Sequence, residues 1–217
     1  MTQQPERDES GRYHIDGSAY RSVTTIIGEE LDQPALDNWM KRTDNAEYKR
    51  DYAGKVGDLA HRRILNPLAV RTLPVETVPE KFQSKQLTTD VEVAEALWED
   101  VRDQIPISEQ PYIEHTLWSS DAGGYAGTAD MITNNVLVDL KTSGHIWKSH
   151  KLQASAYTFA ARQRDVAQVD RAAIVKVDPD EPASKVKWLS FEQLEALYEE
   201  FKSHVESFNA QTRLGEL

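Results

Sequence analysis

The chain has 217 residues and not one cysteine. That excludes disulfides, zinc–thiolate sites and cysteine-ligated iron–sulfur clusters. Any metal it holds must sit on carboxylate, imidazole or carbonyl donors, which favour hard cations such as Mg²⁺ or Mn²⁺. No apolar run approaches the ~18 residues of a spanning helix, so no membrane partner is expected. The polar opening Met1–Ser10 lacks the apolar stretch of a signal peptide. The expectation is a cytoplasmic chain with residues 1–10 as a disordered tail. Basic residues are also scarce: 25 Lys and Arg stand against 36 Asp and Glu, for a formal net charge of −11. Such a surface argues against a generally sticky DNA binder, because phosphate contact draws on Lys and Arg. It leaves a nuclease open, since a metal cluster is built from carboxylates and binding needs only a local basic face. The excess acid also fits solvation at high salt.

What is present supports a real core, with 39% hydrophobic residues. Residues 11–217 are expected to form one domain, 11–105 being a hairpin plus a helical part and 106–217 the sheet-bearing core. Tyr13–Ile15 and Ala19–Val23 flank Asp16-Gly17, a two-residue hairpin turn. Pro34–Arg42 reads as a helix opened by proline. Residues 44–65 carry Tyr48, Tyr52, Val56 and Leu59 at helical spacing, with His61 near the end. Residues 66–87 hold three prolines and read as a loop, before a helix through Val91–Val101 capped by Thr89 or Asp90. Tyr112–Trp118, Tyr125–Thr133 and Val136–Lys141 alternate as an antiparallel meander, turning at Asp121–Gly124 and Asn134-Asn135. A helix over 150–164, a buried strand Ala172–Val177 and an edge strand Val186–Leu189 follow. Ser190 and Gln193 form a capping box for a last helix to about Asn209. This order gives an α/β fold with a mixed central sheet flanked by helices.

The chemistry-bearing residues fall within the meander and the helix after it. Asp139 and Lys141 are two apart on a strand and share a face, while Leu140 points into the core. Asp130 sits on the neighbouring strand. Two carboxylates can therefore converge on a hard cation that leaves positions open for water and a phosphate oxygen. Lys141 would orient or deprotonate the water, or stabilise the developing charge. His61 could add a neutral imidazole. Gln153 and Tyr157 are four apart on one helix face, and with Lys148, His150 and Lys151 that face could grip a DNA backbone. Glu114, on an adjoining strand, would back the metal ligands. Singly these signals are weak, since an Asp-x-Lys strand end is most often a solvated edge. Their order and strand–turn–strand–helix context make the joint pattern specific. His14, His145 and His204 have no partner pattern, and the five tryptophans are read as core or half-buried.

The set His61, Asp130, Asp139-Leu-Lys141 and Gln153-x-x-x-Tyr157 resembles the RecB-type branch of the PD-(D/E)XK nuclease superfamily, over roughly residues 54–160. Ser22–Ile27 with Pro34–Trp39 is similar to the opening of phage- and plasmid-type exonucleases of that branch. Cas4-like members hold an iron–sulfur cluster on cysteines, so the likeness is to cluster-free members. The resemblance implies a restriction-endonuclease-like core with an N-terminal helical addition. It further implies an Mg²⁺- or Mn²⁺-dependent DNA exonuclease of recombination, repair or replication, in a cell, virus or mobile element. His61, Asp130 and Asp139 would then bind metal, with the Leu140 carbonyl a further ligand. Lys141 would be the catalytic lysine, and Gln153 and Tyr157 would brace the site and contact substrate. The chain lacks helicase motifs, so any helicase, single-strand-binding protein or annealing protein would be a separate partner. A flap- or junction-cutting endonuclease and an inactive DNA-binding module stay open beside the exonuclease.

Overall fold

The computed structural model describes residues 6–8, 10–70, 78–181 and 183–215. The described residues form two sheets. The small one is three-stranded and antiparallel, from β1 (Glu6–Arg7), β2 (Tyr13–Ile15) and β3 (Ser18–Tyr20). Asp16 and Gly17 turn β2 into β3 with positive φ of 48° and 78°, the geometry that Asp-Gly supplies. Of the expected N-terminal tail, Glu6 and Arg7 pair with β2, while residues 1–5 and 9 lie outside the described residues. The hairpin's second strand stops at Tyr20, short of the expected Val23, because Ser22 caps α1 (Val23–Ile27) by accepting from the Thr25 N–H at 3.0 Å. Helical backbone then continues through a π-turn (Gly28–Asp32) into α2 (Gln33–Arg42). The long helix α3 (Ala46–Leu65) follows.

Within the predicted loop, residues 71–77 lie outside the described residues, and its far end is helical. Helix α4 (Lys85–Glu99) is capped by Ser84, whose hydroxyl accepts from Leu87 N at 3.1 Å. The earlier start lets Leu87 join the buried face. Asp90, the expected cap, instead accepts from Tyr52 Oη at 2.7 Å and ties α4 to α3.

The large sheet has five strands in chain order: β4 (Tyr112–Ser119), β5 (Tyr125–Thr133), β6 (Val136–Lys141), β7 (Arg171–Lys176) and β8 (Lys185–Ser190). All neighbours are antiparallel except β6 and β7. A parallel pair needs a crossover, and α5 (Lys148–Gln163) provides it. The final helix α6 (Phe191–Gly215) opens with the expected capping box, Gln193 N donating to Ser190 Oγ and Ser190 N to Gln193 Oε1.

Alternation along the strands sorts side chains to two cores. Leu117, Tyr125, Leu137, Ala172 and Ile174 pack with α1, α5 and α6. Val136, Val138, Leu140, Ala173 and Val175 pack with α3 and α4. The fold is thus α/β, a mixed sheet with helices on both faces, as the strand and helix order predicted. No helix among the described residues is long and apolar enough to cross a membrane. Phe201 is fully buried and meets Tyr125 edge-on at 4.9 Å between ring centres. Phe201→Ala is expected to cost about 3–5 kcal/mol, read as a lower midpoint in urea. A cost under ~1 kcal/mol would mean that α6 is not part of the cooperative core.

Candidate metal centre

The site is made where the sheet changes phase. On β4 and β5, Trp118 and Ala126 pack against Tyr13 of the small sheet. Five register positions further on, Ile113 and Met131 pack against α3 and α4. Between these two covers lies the pair Glu114 and Asp130, opposite each other in register but outside the regular pairing. Glu114 has φ of +47°, a left-handed value that a non-glycine residue rarely adopts inside a strand. That single twist lets residues 113 and 116, three apart, reach different covers on one face. The seam left between the covers is a pocket of about 570 Å³ lined by Arg7, Tyr13, Thr24, Asp58, His61, Arg62, Glu114, Thr116, Thr128, Asp130, Gln153 and Tyr157.

Strands β5 and β6 pair only from Met131–Val138 to Thr133–Val136 and then part. The Asp130 carboxylate fills the opening: its Oδ2 accepts from Leu140 N at 2.7 Å. Its Oδ1 faces His61 Nδ1 at 3.6 Å. His61 Nε2 lies 3.0 Å from the Leu140 carbonyl. A carbonyl only accepts, so Nε2 donates to it; in the neutral form of the ring Nδ1 then turns a lone pair towards Asp130. Two lone-pair donors facing one another fit a cation between them. Donor atoms of His61, Glu114 and Asp130 all lie within 4.8 Å of one another. These three half-buried residues could hold a metal ion, and their oxygen and imidazole donors suit a hard or borderline one. Burial, reinforced by the charge of Asp130, pushes the Glu114 carboxyl up to about 7. Glu114, expected to back the ligands, stands among the three groups that could hold an ion. Its position could have been read by counting back from Asp130 through the Gly123-Gly124 turn, because an antiparallel register pairs the two.

Asp139 and Lys141 lie together beside this cluster and do not line the pocket. Asp139 is 2% exposed, and Lys141 Nζ donates to its Oδ1 at 2.9 Å. Asp139 Oδ2 is buried without a hydrogen bond among the described residues. Burial raises the Asp139 carboxyl above its ordinary value against the pull of Lys141, with the Asp130 charge adding to the rise. For Lys141, burial pulls the ammonium down, but Asp139 and Asp130 outweigh it and the shift is upward. The Leu140 side chain is buried with α3 and α4, and its carbonyl is engaged by His61.

Helix α5 brings Gln153 and Tyr157 to the pocket, Gln153 Nε2 donating to Tyr157 Oη at 3.3 Å. Tyr157 lies on Gly127, where an added Cβ would come within 2.5 Å of the ring. The glycine of Gly127-Thr-Ala-Asp130 is thus there for close packing. Gly57 similarly allows α3 to approach Thr142, 3.1 Å from where its Cβ would be. Lys148 and Lys151 are not pocket-lining. Lys148 is exposed and paired with Glu200. His150 Nδ1 accepts from Trp147 N at 3.3 Å, and burial with the nearby Lys141 charge depresses its imidazole to about 4. Trp147 is 55% exposed and Trp39 is 39% exposed, contrary to a core or half-buried reading. Arg7, Tyr13, Thr24, Asp58, Arg62, Thr116 and Thr128 were not legible as pocket residues, because their elements meet only in three dimensions.

A cation entering the cluster must displace the Glu114 proton. Mn²⁺ titration calorimetry in buffers of different ionisation enthalpy should therefore show about one proton released per ion at pH 6, falling towards none at pH 8. Glu114→Gln should remove that pH dependence, and a proton count that it leaves unchanged would rule this assignment out. The sign for metal-free stability follows the same shift. The folded-state value lies above the ordinary 4.5, so folding favours the neutral carboxyl. That contribution is complete below about 4.5 and is lost as pH rises through about 7. Glu114→Gln should flatten the fall in melting temperature over this window.

No family model matches the chain, and no curated protein matches it. Among solved structures, it is similar to the crystal structure named "Putative exonuclease" from Eubacterium rectale, with a TM-score of 0.57 and 12% identity over 91% of this chain and 82% of that one. A likeness at this identity speaks for the fold. The crystal structure of SSO0001 has 17% identity over 67% of this chain and 73% of that one, with a TM-score of 0.32, too low to carry an argument.

Proposed function

We propose that this chain is a divalent-metal-dependent deoxyribonuclease, acting as an exonuclease. The observation that carries the reading is the convergence of His61 Nδ1, Glu114 and Asp130 in an open pocket beside a buried Asp139–Lys141 ion pair. The fold shared with the Eubacterium rectale protein named as an exonuclease supports it.

The donor set fits Mg²⁺ or Mn²⁺, and the orphaned Asp139 Oδ2 is a further buried oxygen in need of positive charge. When bound, the ion would polarise a phosphate oxygen and acidify a water. The chain's own groups do the rest. His61, Glu114 and Asp130 would hold the ion, with Asp139 completing the charge. The Leu140 carbonyl fixes the His61 tautomer, as partners behind a ligating histidine commonly do. Lys141, held protonated by two aspartates, is a donor to the phosphate oxygens or an orienting group for the attacking water. Gln153 and Tyr157 set the substrate strand against the cluster. DNA is the expected partner. Any helicase, single-strand-binding protein or annealing protein would act as a separate chain.

The test is digestion of end-labelled linear DNA beside covalently closed circles, with Mg²⁺, Mn²⁺ or EDTA. Metal-dependent loss of linear DNA with circles intact is expected, and Asp139→Ala should lower turnover at least ~100-fold while DNA binding persists. Cutting of circles would make the enzyme an endonuclease. Full activity in Asp139→Ala would remove the site assignment. His61→Ala should weaken metal use more than DNA affinity. An equal loss of both would assign it to folding or DNA contact.

A further inference from the structure

The pocket has two differing halves. One holds Asp58, His61, Arg62, Glu114 and Asp130; the charges of Arg62 and Asp58 both act on Glu114. The other half holds no carboxylate. It begins two positions along β4 and β5, at Thr116 and Thr128, which are in register with hydroxyls 3.4 Å apart. Tyr13 of the small sheet reaches down to the same row, its Oη 3.2 Å from Thr128 Oγ1. Thr24, on the first turn of α1, and Arg7, on β1, complete the wall.

Arg7 is held in place. Its Nε donates to the Gly11 carbonyl at 3.3 Å, and its guanidinium lies over the Tyr13 ring at 5.7 Å. Gly11 has φ of +77°, and a Cβ there would stand 3.1 Å from the Arg7 terminal nitrogen. The turn thus has room for the arginine and none to spare. A guanidinium and a row of hydroxyls lining one half of a pocket, with no carboxylate among them, is chemistry for an anion: hydroxyl protons rotate to donate, and arginine matches a phosphate in charge and shape.

The spacing makes the anion specific. Thr128 and Asp130 are two residues apart on β5 and both line the pocket, a step of ~7 Å, close to the step between successive phosphates of one nucleic-acid strand. We infer that the row is a second phosphate subsite, one nucleotide along the strand from the His61–Glu114–Asp130 cluster. Arg7 is its charged contact, and Tyr13, Thr24 and Thr128 are its neutral donors. The inference rests on the nuclease reading above and adds to it how the strand is registered on the cluster.

The experiment uses the full chain and oligonucleotides in which single phosphodiesters near either end are replaced, one at a time, by neutral methylphosphonates. Binding is read by fluorescence anisotropy in Ca²⁺ and in EDTA, and turnover in Mg²⁺ or Mn²⁺. Arg7→Gln should weaken Kd and KM about ten-fold, the scale of one charge-assisted contact, with the loss falling in KM rather than kcat. Arg7→Lys should recover part of it. One methylphosphonate position should reproduce the loss in the unmodified protein and add nothing to Arg7→Gln. Thr128→Val should show the same coupling more weakly, and melting curves should show both variants folded. Independent, additive losses at every position, or no loss from either change, would overturn the subsite. If folded protein cuts no DNA yet Arg7 and one linkage remain coupled in binding, the subsite stands and the nuclease reading fails. Cutting without that coupling defeats the subsite alone. Absence of any nucleic-acid binding defeats both.

Discussion

Negative charge held out of water governs this structure. Glu114, Asp130 and Asp139 crowd one row of the sheet, and among the described residues the ammonium bonded there is that of Lys141. A buried carboxylate either finds a positive partner or takes up a proton. Asp139 has found half a partner: one oxygen bonds Lys141 and the other bonds nothing among the described residues. Asp130 spends one oxygen on a backbone N–H and turns the other towards His61 Nδ1, 3.6 Å away. Glu114 answers with a raised pKa. All three are the responses of a site short of positive charge, and a cation would relieve all of them together.

The fold creates that shortage by interrupting itself. A regular sheet would have sent Glu114 and Asp130 into a ladder beneath one continuous cover. The left-handed Glu114 and the parting of β5 from β6 leave two peptide edges unpaired instead. The carboxylate of Asp130 takes over the hydrogen bond that the ladder gives up at Leu140. An acid at position 130 thus closes the sheet's gap and is at the same time one of the groups that could hold an ion. Strain of this kind is found where a site needs groups aimed away from the pleat, and here the energy to hold it comes from the apolar layers on either side.

Local chemistry made most of the framework legible. Asp16-Gly17, Asn134-Asn135 and the Ser190–Gln193 box each specify a geometry within four residues, and each is found in the structure. The strands Tyr125–Thr133 and Val136–Lys141 start and stop where alternation said they would. Helix starts were less legible. Ser84 and Thr89 are equally good caps in isolation, and burial of Leu87 decided between them. Strand parity linked Asp139 with Lys141 and helix spacing linked Gln153 with Tyr157; joining these with His61 and Asp130 drew on the resemblance to a known nuclease pattern, and the structure places all six in one region. The role of Glu114 could not, because strand parity assumes regular backbone and Glu114 departs from it. The wall formed by Arg7, Tyr13 and Thr24 was hidden for a different reason: docking of the small sheet on β4 and β5 is a long-range contact with no local signature.

The net charge of −11 also limits how such a site can meet a polyanion. A basic groove gains affinity by releasing counterions from many phosphates at once. Here the pocket's cations are Arg7 and Arg62, and the surrounding field is repulsive at long range. A nuclease built this way would hold DNA through few contacts, chiefly the metal and one or two guanidiniums, and its affinity would depend shallowly on salt. Weak, short-footprint binding suits an enzyme that advances along a strand one nucleotide at a time, because each step requires the previous contacts to release. On the proposed function the acidic surface would work together with a bound cation: it would confine nucleic acid to the place where that cation reverses the sign of the field.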